Sequence, residues 1–368
     1  MKIERINVDL DKRSYPVVIS NDLKNFNISK IIRNYNPSKI IVITDRNVDN
    51  FHAKYLKKIF FTHMDKFHKI VLPSGEKIKS FSYLERLLEK VLKLQIDRNS
   101  LIISFGGGVI GDLTGLAANL LMRGIPIIQI PTSLLAQVDS SIGGKTGINS
   151  KFGKNLIGTF SQPSRVLIST NILKTLDKRE VFAGYAEILK YSLIKDKIFF
   201  NWLTENGKKV ISLETKKCMY AIKKSCQIKA NIVSLDEKES GVREILNFGH
   251  TFAHAIETHT RFTKKIIHGE AVFIGMVLAV KLSVFLGLCK EEILQNLIDH
   301  LEALNISYKL SSYKIKIPVV DFIKLLRFDK KIKQNKIKFI LIKEIGKPIG
   351  YVVENEIMIR NFLKKELL

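Results

Sequence analysis

Two histidines, His250 and His254, stand four residues apart in the segment NFGHTFAHAIETH. On a helix this spacing places both imidazoles on one face, where they can share a metal ion. A third, His268, follows in HGEAV, and four of the eight histidines lie from His250 to His268. Such clustering favours metal or phosphate binding over histidines that only cap helices. Glu187 lies in the apolar pattern AGYAEILKY, where a carboxylate is usually paired or coordinating.

The glycine-rich segment SFGGGVIGDLTGLAA, residues 104–118, follows a predicted strand and opens a predicted helix. Its Gly106, Gly108 and Gly111 fit the pattern G-x-G-x-x-G, in which backbone N–H groups at a helix start hold a pyrophosphate. The pattern alone is weak, because no acidic residue follows about 20 positions later for the usual ribose contact. Asp45, at the end of the strand KIIVIT, is the better candidate for that contact. A glycine turn that serves only helix–strand packing stays open as the alternative.

A second glycine-rich segment, SSIGGKTGINSKFGKNLIG, spans residues 140–158. Its tripeptide GKT looks like the end of a P-loop, but the first glycine of that motif would fall on Asp139, so a P-loop is excluded. What remains suits an anionic substrate, because Lys145 and Lys154 can act as point charges on phosphate or carboxylate. Eleven of the 21 glycines lie within residues 106–158, a concentration typical of backbone that approaches a ligand closely.

The elements that must position these residues differ between the two halves of the chain. In residues 1–179, short β-branched apolar runs alternate with helical periodicity, which predicts a doubly wound, Rossmann-like α/β domain. The predicted strands cover 39–44, 68–72, 101–105, 125–130 and 165–168, and a helix follows Ser80 as N-cap. Residues 180–368 show mainly helical patterns, over 183–193, 216–232, 251–257 and 270–286. We therefore expect a second, mainly α-helical domain and an active site in the cleft between the two.

Composition and charge exclude several classes of protein. The 368 residues are 46% hydrophobic and 26% charged, which argues against disorder and low complexity. The net charge of +25 comes mainly from lysines spread along the chain without a recognition motif, so nucleic acid is not an expected partner. Three cysteines without a C-x-x-C pair argue against a disulfide framework or a thiolate zinc site. The start lacks an apolar leader and the run 271–280 is too short to span a bilayer, so we expect a soluble, cytoplasmic protein with no membrane partner.

Several long motifs occur in one order: PSGEKIKS, GGGVIGDLTGLAA, RGIPIIQIPTSLLAQVDSSIGGKTGIN, GKNLIGTF, GYAEILKY, LNFGHTFAHAIE and HGEAV. Together they resemble the 3-dehydroquinate synthase family, over about residues 39–346 and with the spacing between motifs preserved. The resemblance implies a lyase of the shikimate pathway that depends on NAD and on zinc or cobalt. Its substrate would be 3-deoxy-D-arabino-heptulosonate 7-phosphate, and its products 3-dehydroquinate and phosphate.

The implied reaction is redox-neutral. Transient oxidation of an alcohol to a ketone makes a neighbouring C–H acidic, so that phosphate can be eliminated. The hydride is then returned to the same carbon, and an intramolecular aldol step closes the ring. NAD is therefore expected to be needed only in catalytic amount.

The resemblance also implies which residues act. The metal ligands would be Glu187, His250 and His268, so that His254 serves phosphate binding and proton transfer instead. The catalytic residues would be Lys145, Lys190, Glu239 and His254. The substrate-binding residues would be Arg123, Asp139, Lys145, Lys154, Asn155, Lys190, Lys229, Arg243, Asn247, His254 and a late lysine, either Lys330 or Lys331. The NAD-binding residues would be Asp45, Ser74, Gly75, Glu76, Lys77, Ile78, Lys79, Gly108, Val109, Ile110, Gly111, Asp112, Thr132, Ser133, Lys145, Lys154, Ile172, Leu173, Lys174 and Thr175. Arg123 matches an arginine that reaches the neighbouring subunit's phosphate site, which implies a homodimer.

The chain departs from the family pattern at two positions. Ser74 stands where the loop usually reads P-D-G-E, and Ser133 stands where many members have threonine. Neither is an implied metal ligand or substrate lysine, so we expect activity to survive.

Two alternative functions share the implied fold: a related sugar phosphate cyclase and a metal-dependent polyol dehydrogenase. The lysines and His254 favour a phosphorylated substrate over a simple polyol. Arg243 suits a carboxylate, which favours the heptulosonate phosphate over the sugars of the related cyclases.

Overall fold

The computed structural model describes residues 3–327 and 336–367. The strands are β1 Glu4–Val8, β2 Tyr15–Ser20, β3 Ile40–Asp45, β4 Phe67–Leu72, β5 Leu101–Gly106, β6 Ile127–Pro131, β7 Lys145–Ser150, β8 Gly153–Phe160, β9 Arg165–Ser169, β10 Lys338–Glu344 and β11 Lys347–Val352. The α-helices are α1 Ile28–Tyr35, α2 Arg46–Ile59, α3 Phe81–Leu92, α4 Gly108–Leu120, α5 Lys178–Lys195, α6 Lys197–Ile211, α7 Thr215–Leu235, α8 His250–His259, α9 His268–Phe285, α10 Glu291–Ala303, α11 Val319–Arg327 and α12 Glu356–Leu367.

The chain forms two compact units. The first unit comprises Met1–Val181 and Leu213–Lys238, and the second comprises Phe182–Ser212 and Glu239–Leu368. Helix α7 lies within the first unit although sequence patterns placed it with the second half, because it packs against β1, β2 and the turn at Ala136–Ser140.

The first unit is built on a seven-stranded sheet in the order β1-β2-β9-β6-β5-β3-β4. The pair β1 and β2 is antiparallel, and the remaining neighbours are parallel. Successive residues of β3 point to opposite faces, so Ile41 and Ile43 join the core under α3 and α4 while Ile40 and Val42 join the core under α1 and α2. Burial on both faces explains why the sequence of β3 is a nearly continuous apolar run. The predicted doubly wound, Rossmann-like architecture is confirmed.

The second unit is mainly helical, as predicted, and has α9 at its centre. Helix α9 packs against α8, α10, β10 and α12. It is the one helix of the described residues that is long and apolar enough to cross a membrane, with a mean hydropathy of 1.5 over 18 residues, but 72% of that window is buried in the protein. This burial is typical of a core helix.

The sequence analysis missed several strands. The hairpin β7–β8 covers the second glycine-rich segment, and β10–β11 forms a hairpin in the second unit. The pair β1–β2 begins the first unit. Exposed or partly exposed positions interrupt the apolar pattern of β1, β8 and β11, so alternation with helices could not reveal these three strands. Ser80 is the N-cap residue of α3 as predicted, but its side chain makes no capping hydrogen bond.

Candidate active site

Three helices of the second unit bring a carboxylate and two imidazoles together. Glu187 of α5 is completely buried, and neither of its carboxylate oxygens accepts a well-aligned hydrogen bond from any described residue. His250, the first residue of α8, places Nε2 3.5 Å from Glu187 Oε1, and His268, the first residue of α9, places Nε2 3.7 Å from the same oxygen. One ligand atom from each residue lies within 4.8 Å of the others. A divalent cation among them would be coordinated by Glu187 Oε1, the oxygen that faces both imidazoles, so the set fits a metal of the zinc type.

Both histidines present the correct nitrogen because their other nitrogen is engaged. His250 Nδ1 lies 3.2 Å from the carbonyl oxygen of Phe248, and His268 Nδ1 lies 3.3 Å from Glu257 Oε2. In a neutral imidazole, an Nδ1–H that donates to oxygen leaves the lone pair on Nε2, and both Nε2 atoms lie on the side of Glu187. Carbonyl and carboxylate partners of this kind are the usual outer shell of metal-bound histidines.

Electrostatics favour two of the protonation states that a metal needs. Burial disfavours ionisation of Glu187, but Lys190 and hydrogen bonds with the two histidines hold its pKa well below the usual range. Burial and the nearby Lys190 lower the pKa of His250 to about 4, so its ring is neutral. His268 differs: burial lowers its pKa, but Glu257 and Glu187 outweigh this and raise it to about 10. A metal would therefore displace a proton from His268 on binding.

Two glycines allow the three helices to approach closely enough. A Cβ at Gly269 would lie 2.2 Å from the Cα of Ala183, so the start of α9 rests directly on the α5 backbone that carries Glu187. A Cβ at Gly275 would lie 2.1 Å from the carbonyl oxygen of Gly249, which precedes His250. These contacts bring α5, α8 and α9 together at backbone distance. The sequence shows a glycine directly after His268 in HGEAV. Only the packing of α9 on α5 shows why a side chain would not fit there.

The other predicted residues of the second unit are close in sequence to the residues of this cluster. The ammonium of Lys190, one turn from Glu187, contacts Glu187 Oε2. Asn247 Nδ2 donates to Glu239 Oε1 at 2.7 Å, and Arg243 is 1% exposed. The His254 ring lies 5.6 Å from the His250 ring, centroid to centroid, and His254 is not part of the cluster. The sharing of one metal by His250 and His254, suggested by their spacing, is therefore not what the geometry shows.

In the first unit, the residues predicted for NAD follow the carboxyl ends of neighbouring parallel strands. Asp45 ends β3, the loop 74–79 follows β4, Gly108 follows β5, Thr132 follows β6, and 172–175 follows β9. Carboxyl ends of parallel strands form one edge of a sheet, which is where doubly wound folds bind nucleotides. The first turn of α4 supplies backbone N–H groups at this edge. These residues are thus brought to one place, and their roles stay predictions.

The ribose candidate Asp45 is held in place by three donors. Its Oδ1 accepts hydrogen bonds from Asn47 N at 2.9 Å, Val48 N at 3.2 Å and the Ser74 hydroxyl at 2.9 Å. Ser74 therefore supplies a hydrogen bond at the position where an aspartate would place a second carboxylate.

Several predicted substrate and NAD residues of the first unit bond one another. Lys229 Nζ of α7 bonds the Asp139 carboxylate at 2.7 Å, and Lys229 is 5% exposed. Lys79 Nζ bonds Asp112 Oδ2 at 2.6 Å and contacts Asn155 Oδ1. Burial raises the pKa of Asp112, and the ion pair with Lys79 opposes this.

Three further predicted residues differ in exposure, and the two candidate late lysines lie outside the described residues. Lys145 is exposed at the start of β7, and Lys154 is half-buried in β8. Arg123 is exposed in a turn in which Met122, Arg123 and Gly124 all have positive φ. Lys330 and Lys331 lie outside the described residues.

The sequence analysis missed two residues that the geometry brings to these sites. Glu257 is 4% exposed and holds His268, although its position in AIETH gave no separate signal. Asn149 lies in the hairpin beside the loop 74–79, and its side chain bonds Glu76 and Asn155. Both act through a predicted residue, which a local motif cannot reveal.

Comparison with known proteins identifies relatives over the whole chain. Residues 69–183 match the family described as 3-dehydroquinate synthase N-terminal, and residues 184–332 match 3-dehydroquinate synthase C-terminal. The 3-dehydroquinate synthase of Bartonella tribocorum is 40% identical over 376 residues, which cover 100% of this chain and 99% of the relative.

Two solved structures share the fold. A 2-deoxy-scyllo-inosose synthase complexed with carbaglucose-6-phosphate, NAD+ and Co2+ has a TM-score of 0.86 and 25% identity, covering 99% of this chain and 100% of that one. The 2-epi-5-epi-valiolone synthase of Streptomyces hygroscopicus, with NAD+ and Zn2+ bound, has a TM-score of 0.87 and 26% identity, covering 97% and 98%.

Proposed function

The chain belongs to the 3-dehydroquinate synthase family, and from this premise we propose that it converts 3-deoxy-D-arabino-heptulosonate 7-phosphate to 3-dehydroquinate and phosphate. The observation that carries the proposal is the buried cluster of Glu187, His250 and His268, whose carboxylate lacks a well-aligned hydrogen bond from the described residues. The cluster supplies the metal ligands that the chemistry requires, and the first unit has a sheet edge suited to NAD. When bound, a divalent metal supplies Lewis-acid polarisation of substrate oxygens, and NAD supplies a reversible hydride acceptor.

The residues of the second unit provide the charges that the substrate needs. Lys190 holds its ammonium against Glu187 and places positive charge where a substrate hydroxyl would become an oxyanion. Arg243 offers a guanidinium whose fork matches a carboxylate, the group that separates this substrate from those of related cyclases. Glu239, held by Asn247, is positioned as an acid or base.

We assign the substrate phosphate to Lys154, Asn155 and His254, with Arg123 supplied by a second copy of the chain. The His254 ring can take or return a proton as the phosphate leaves. Arg123 is exposed and lies on a strained turn, which is typical of a residue held out for function. The protein is accordingly proposed to be a soluble, cytoplasmic homodimer.

The proposed activity is tested by turnover. Purified protein with zinc, catalytic NAD and the heptulosonate phosphate is expected to release phosphate and dehydroquinate in equal amounts. NADH absorbance should not grow with product, because the reaction is redox-neutral. A polyol dehydrogenase would instead accumulate NADH in proportion to product, and a related cyclase would accept a hexose or heptose phosphate that lacks the carboxylate. Either result would overturn the assignment.

The phosphate assignment has its own test in Lys154→Ala. Loss of one charged hydrogen bond is worth about 1.5–3 kcal/mol, so a phosphonate analogue of the substrate should bind roughly 10–150-fold more weakly. Lys154 is also among the residues implied to bind NAD, so NAD affinity should fall as well, but by a much smaller factor. Calorimetric titration with each ligand measures both, and equal losses would contradict the assignment. Lys151→Ala in the same hairpin is the matched control, because Lys151 is exposed.

A further inference from the structure

A single asparagine connects the loop predicted to bind NAD with a residue predicted to bind substrate. Asn149 Nδ2 donates to Glu76 Oε1 at 2.8 Å, and Asn149 Oδ1 accepts from the backbone N–H of Asn155 at 3.0 Å. Its own backbone N–H donates to the carbonyl oxygen of Lys79 at 2.8 Å. Donor and acceptor of one amide are thus divided between the loop 74–79 and strand β8.

The position of Asn149 in the hairpin explains why it is available for these bonds. Between the pairs Ile148–Ile157 and Ser150–Gly153, strand β7 has one residue, Asn149, whereas β8 has three, residues 154–156, so the extra residues of the bulge lie on β8 opposite Asn149. A bulge interrupts the ladder between the strands. The backbone N–H of Asn149 therefore bonds the neighbouring loop, and its side chain bonds both that loop and the bulged residue Asn155.

Asn155 needs such support because its backbone is strained. Its φ is +54°, in the left-handed region that costs free energy for residues other than glycine. The bond from Asn155 N to Asn149 holds the backbone, and Lys79 Nζ contacts the Asn155 side-chain oxygen. Lys79 is 4% exposed and belongs to the same loop as Glu76. Both supports of Asn155 therefore depend on the loop 74–79.

We propose that Asn149 is a positioning residue that couples NAD binding to sugar phosphate binding, a role that rests on the proposed function. A loop ordered by NAD would fix Glu76 and Lys79, and through Asn149 would fix Asn155 in its strained conformation. The substrate would then bind without the cost of ordering Asn155, so each ligand would increase the affinity for the other. Asn149 itself touches neither ligand in this scheme.

The experiment measures NAD affinity of the zinc-loaded protein by calorimetry, with and without a saturating phosphonate analogue of the substrate. The wild-type protein is expected to bind NAD at least about fivefold more tightly with the analogue present. In Asn149→Ala this ratio should fall towards one. Ser150→Ala is the matched control, because the Ser150 hydroxyl bonds only within the hairpin turn, to Phe152 N at 3.1 Å, and its ratio should stay at the wild-type value.

Exchanging the amide and the carboxylate between positions 149 and 76 distinguishes loss of coupling from simple loss of structure. Asn149→Asp keeps the acceptor for Asn155 N but faces Glu76 with a second carboxylate, so the ratio should fall. Adding Glu76→Gln provides an amide donor at position 76, so the ratio should recover in the double variant. Wild-type coupling that persists in Asn149→Ala, or two ligands that bind independently in the wild type, would overturn the proposal. Phosphate release by the wild type separates this failure from failure of the proposed function, since an inactive wild type would refute both.

Discussion

In the first unit the functional residues stand in loops at one edge of a sheet, whereas in the second they are single side chains on three separate helices. The loops follow β3, β4, β5, β6 and β9, so the topology alone brings them together. Sheet topology does not bring Glu187, His250 and His268 together. These residues meet because α5, α8 and α9 approach one another closely at Gly269 and Gly275.

This difference teaches that the two sites have different weak points. The predicted NAD site depends on the path of the chain at the ends of five strands, so a substitution that moves this path should damage it. The second site consists of side-chain atoms, and each ligand is indispensable. A substitution that damages the first unit should therefore weaken NAD binding and leave metal binding unchanged. A substitution that damages the metal cluster should weaken metal binding and leave NAD binding unchanged.

The largest expected effect is on the metal. His268→Ala should weaken zinc binding roughly a thousandfold or more, because it removes one of three ligands. NAD affinity should stay near the wild-type value, because the NAD residues lie in the first unit. Competition with a zinc-chelating dye and NAD calorimetry measure the two. Metal loss in His254→Ala with retention in His268→Ala would reverse the assignment.

The corresponding change in the first unit is Gly115→Ala. The new Cβ would lie 2.4 Å from Thr146 Cγ2, so helix α4 and strand β7 must separate, at a cost of about 3 kcal/mol. Hydrogen exchange of α4 and β7 amides should accelerate and NAD affinity should fall, while zinc affinity stays. Gly107→Ala is the matched control, since its Cβ would meet Ser133 Oγ at an ordinary 3.4 Å. Equal zinc loss in Gly115→Ala would break the separation of the units.

A smaller effect on zinc affinity is expected when Glu257, which bonds the metal-cluster residue His268, is replaced. Glu257→Gln removes the carboxylate that holds His268 Nδ1, and loss of such an outer partner weakens metal binding roughly 10–100-fold. The amide can still accept a hydrogen bond, so the fold should persist. Glu270→Gln is a useful comparison, because Glu270 caps α9 through Ile267 N but is not part of the metal cluster. Similar zinc affinities in both variants would contradict the role of Glu257.

The smallest effect concerns the stability of the second unit at low pH. His300 is 4% exposed and bonds the Tyr185 hydroxyl at 2.9 Å, and burial lowers its pKa to about 4. Because an unfolded histidine binds a proton near pH 6.5, stability present above that pH is lost as the pH falls towards 4, by about 2 kcal/mol between pH 7 and pH 5. His300→Gln should remove this part of the loss.

Urea unfolding followed by fluorescence measures the effect of His300. Trp202, the single tryptophan, lies on α6 of the second unit and reports that unit. Zinc is kept saturating so that His250 stays bound in both proteins. An identical pH dependence in the variant and the wild type would show that His300 titrates normally in the folded state.

Much of the first unit could be predicted from the sequence because its signals are local. The predicted strands β3, β5, β6 and β9 are largely buried apolar runs, and Gly106, Gly108 and Gly111 lie at the turn from β5 into α4 as the motif requires. The hairpin β7–β8 could not be predicted from a local pattern. Its glycines Gly147 and Gly158 pair between two strands, and such a pairing is seen only in the folded chain.

The metal cluster could be predicted only in part. Histidine spacing alone paired His250 with His254, because sequence shows neighbours on one helix and not the helix that packs beside it. The resemblance to a family pointed to Glu187 and His268 instead, and these lie beside His250. The roles of the substrate residues and the cleft between the domains stay predictions, since they depend on bound ligands.

Helix α9 has a consequence for how the protein must be made. It carries His268 at its first residue, yet β10 and α12, which cover it, are synthesised later. Ser283 of α9 bonds Ile342 N, and Lys281 contacts Glu366 near the end of the chain. Until these last residues leave the ribosome, the faces of this 18-residue apolar helix that β10 and α12 cover stay exposed. Premature termination near the end, far from any reacting atom, should therefore yield an insoluble polypeptide rather than a slow enzyme.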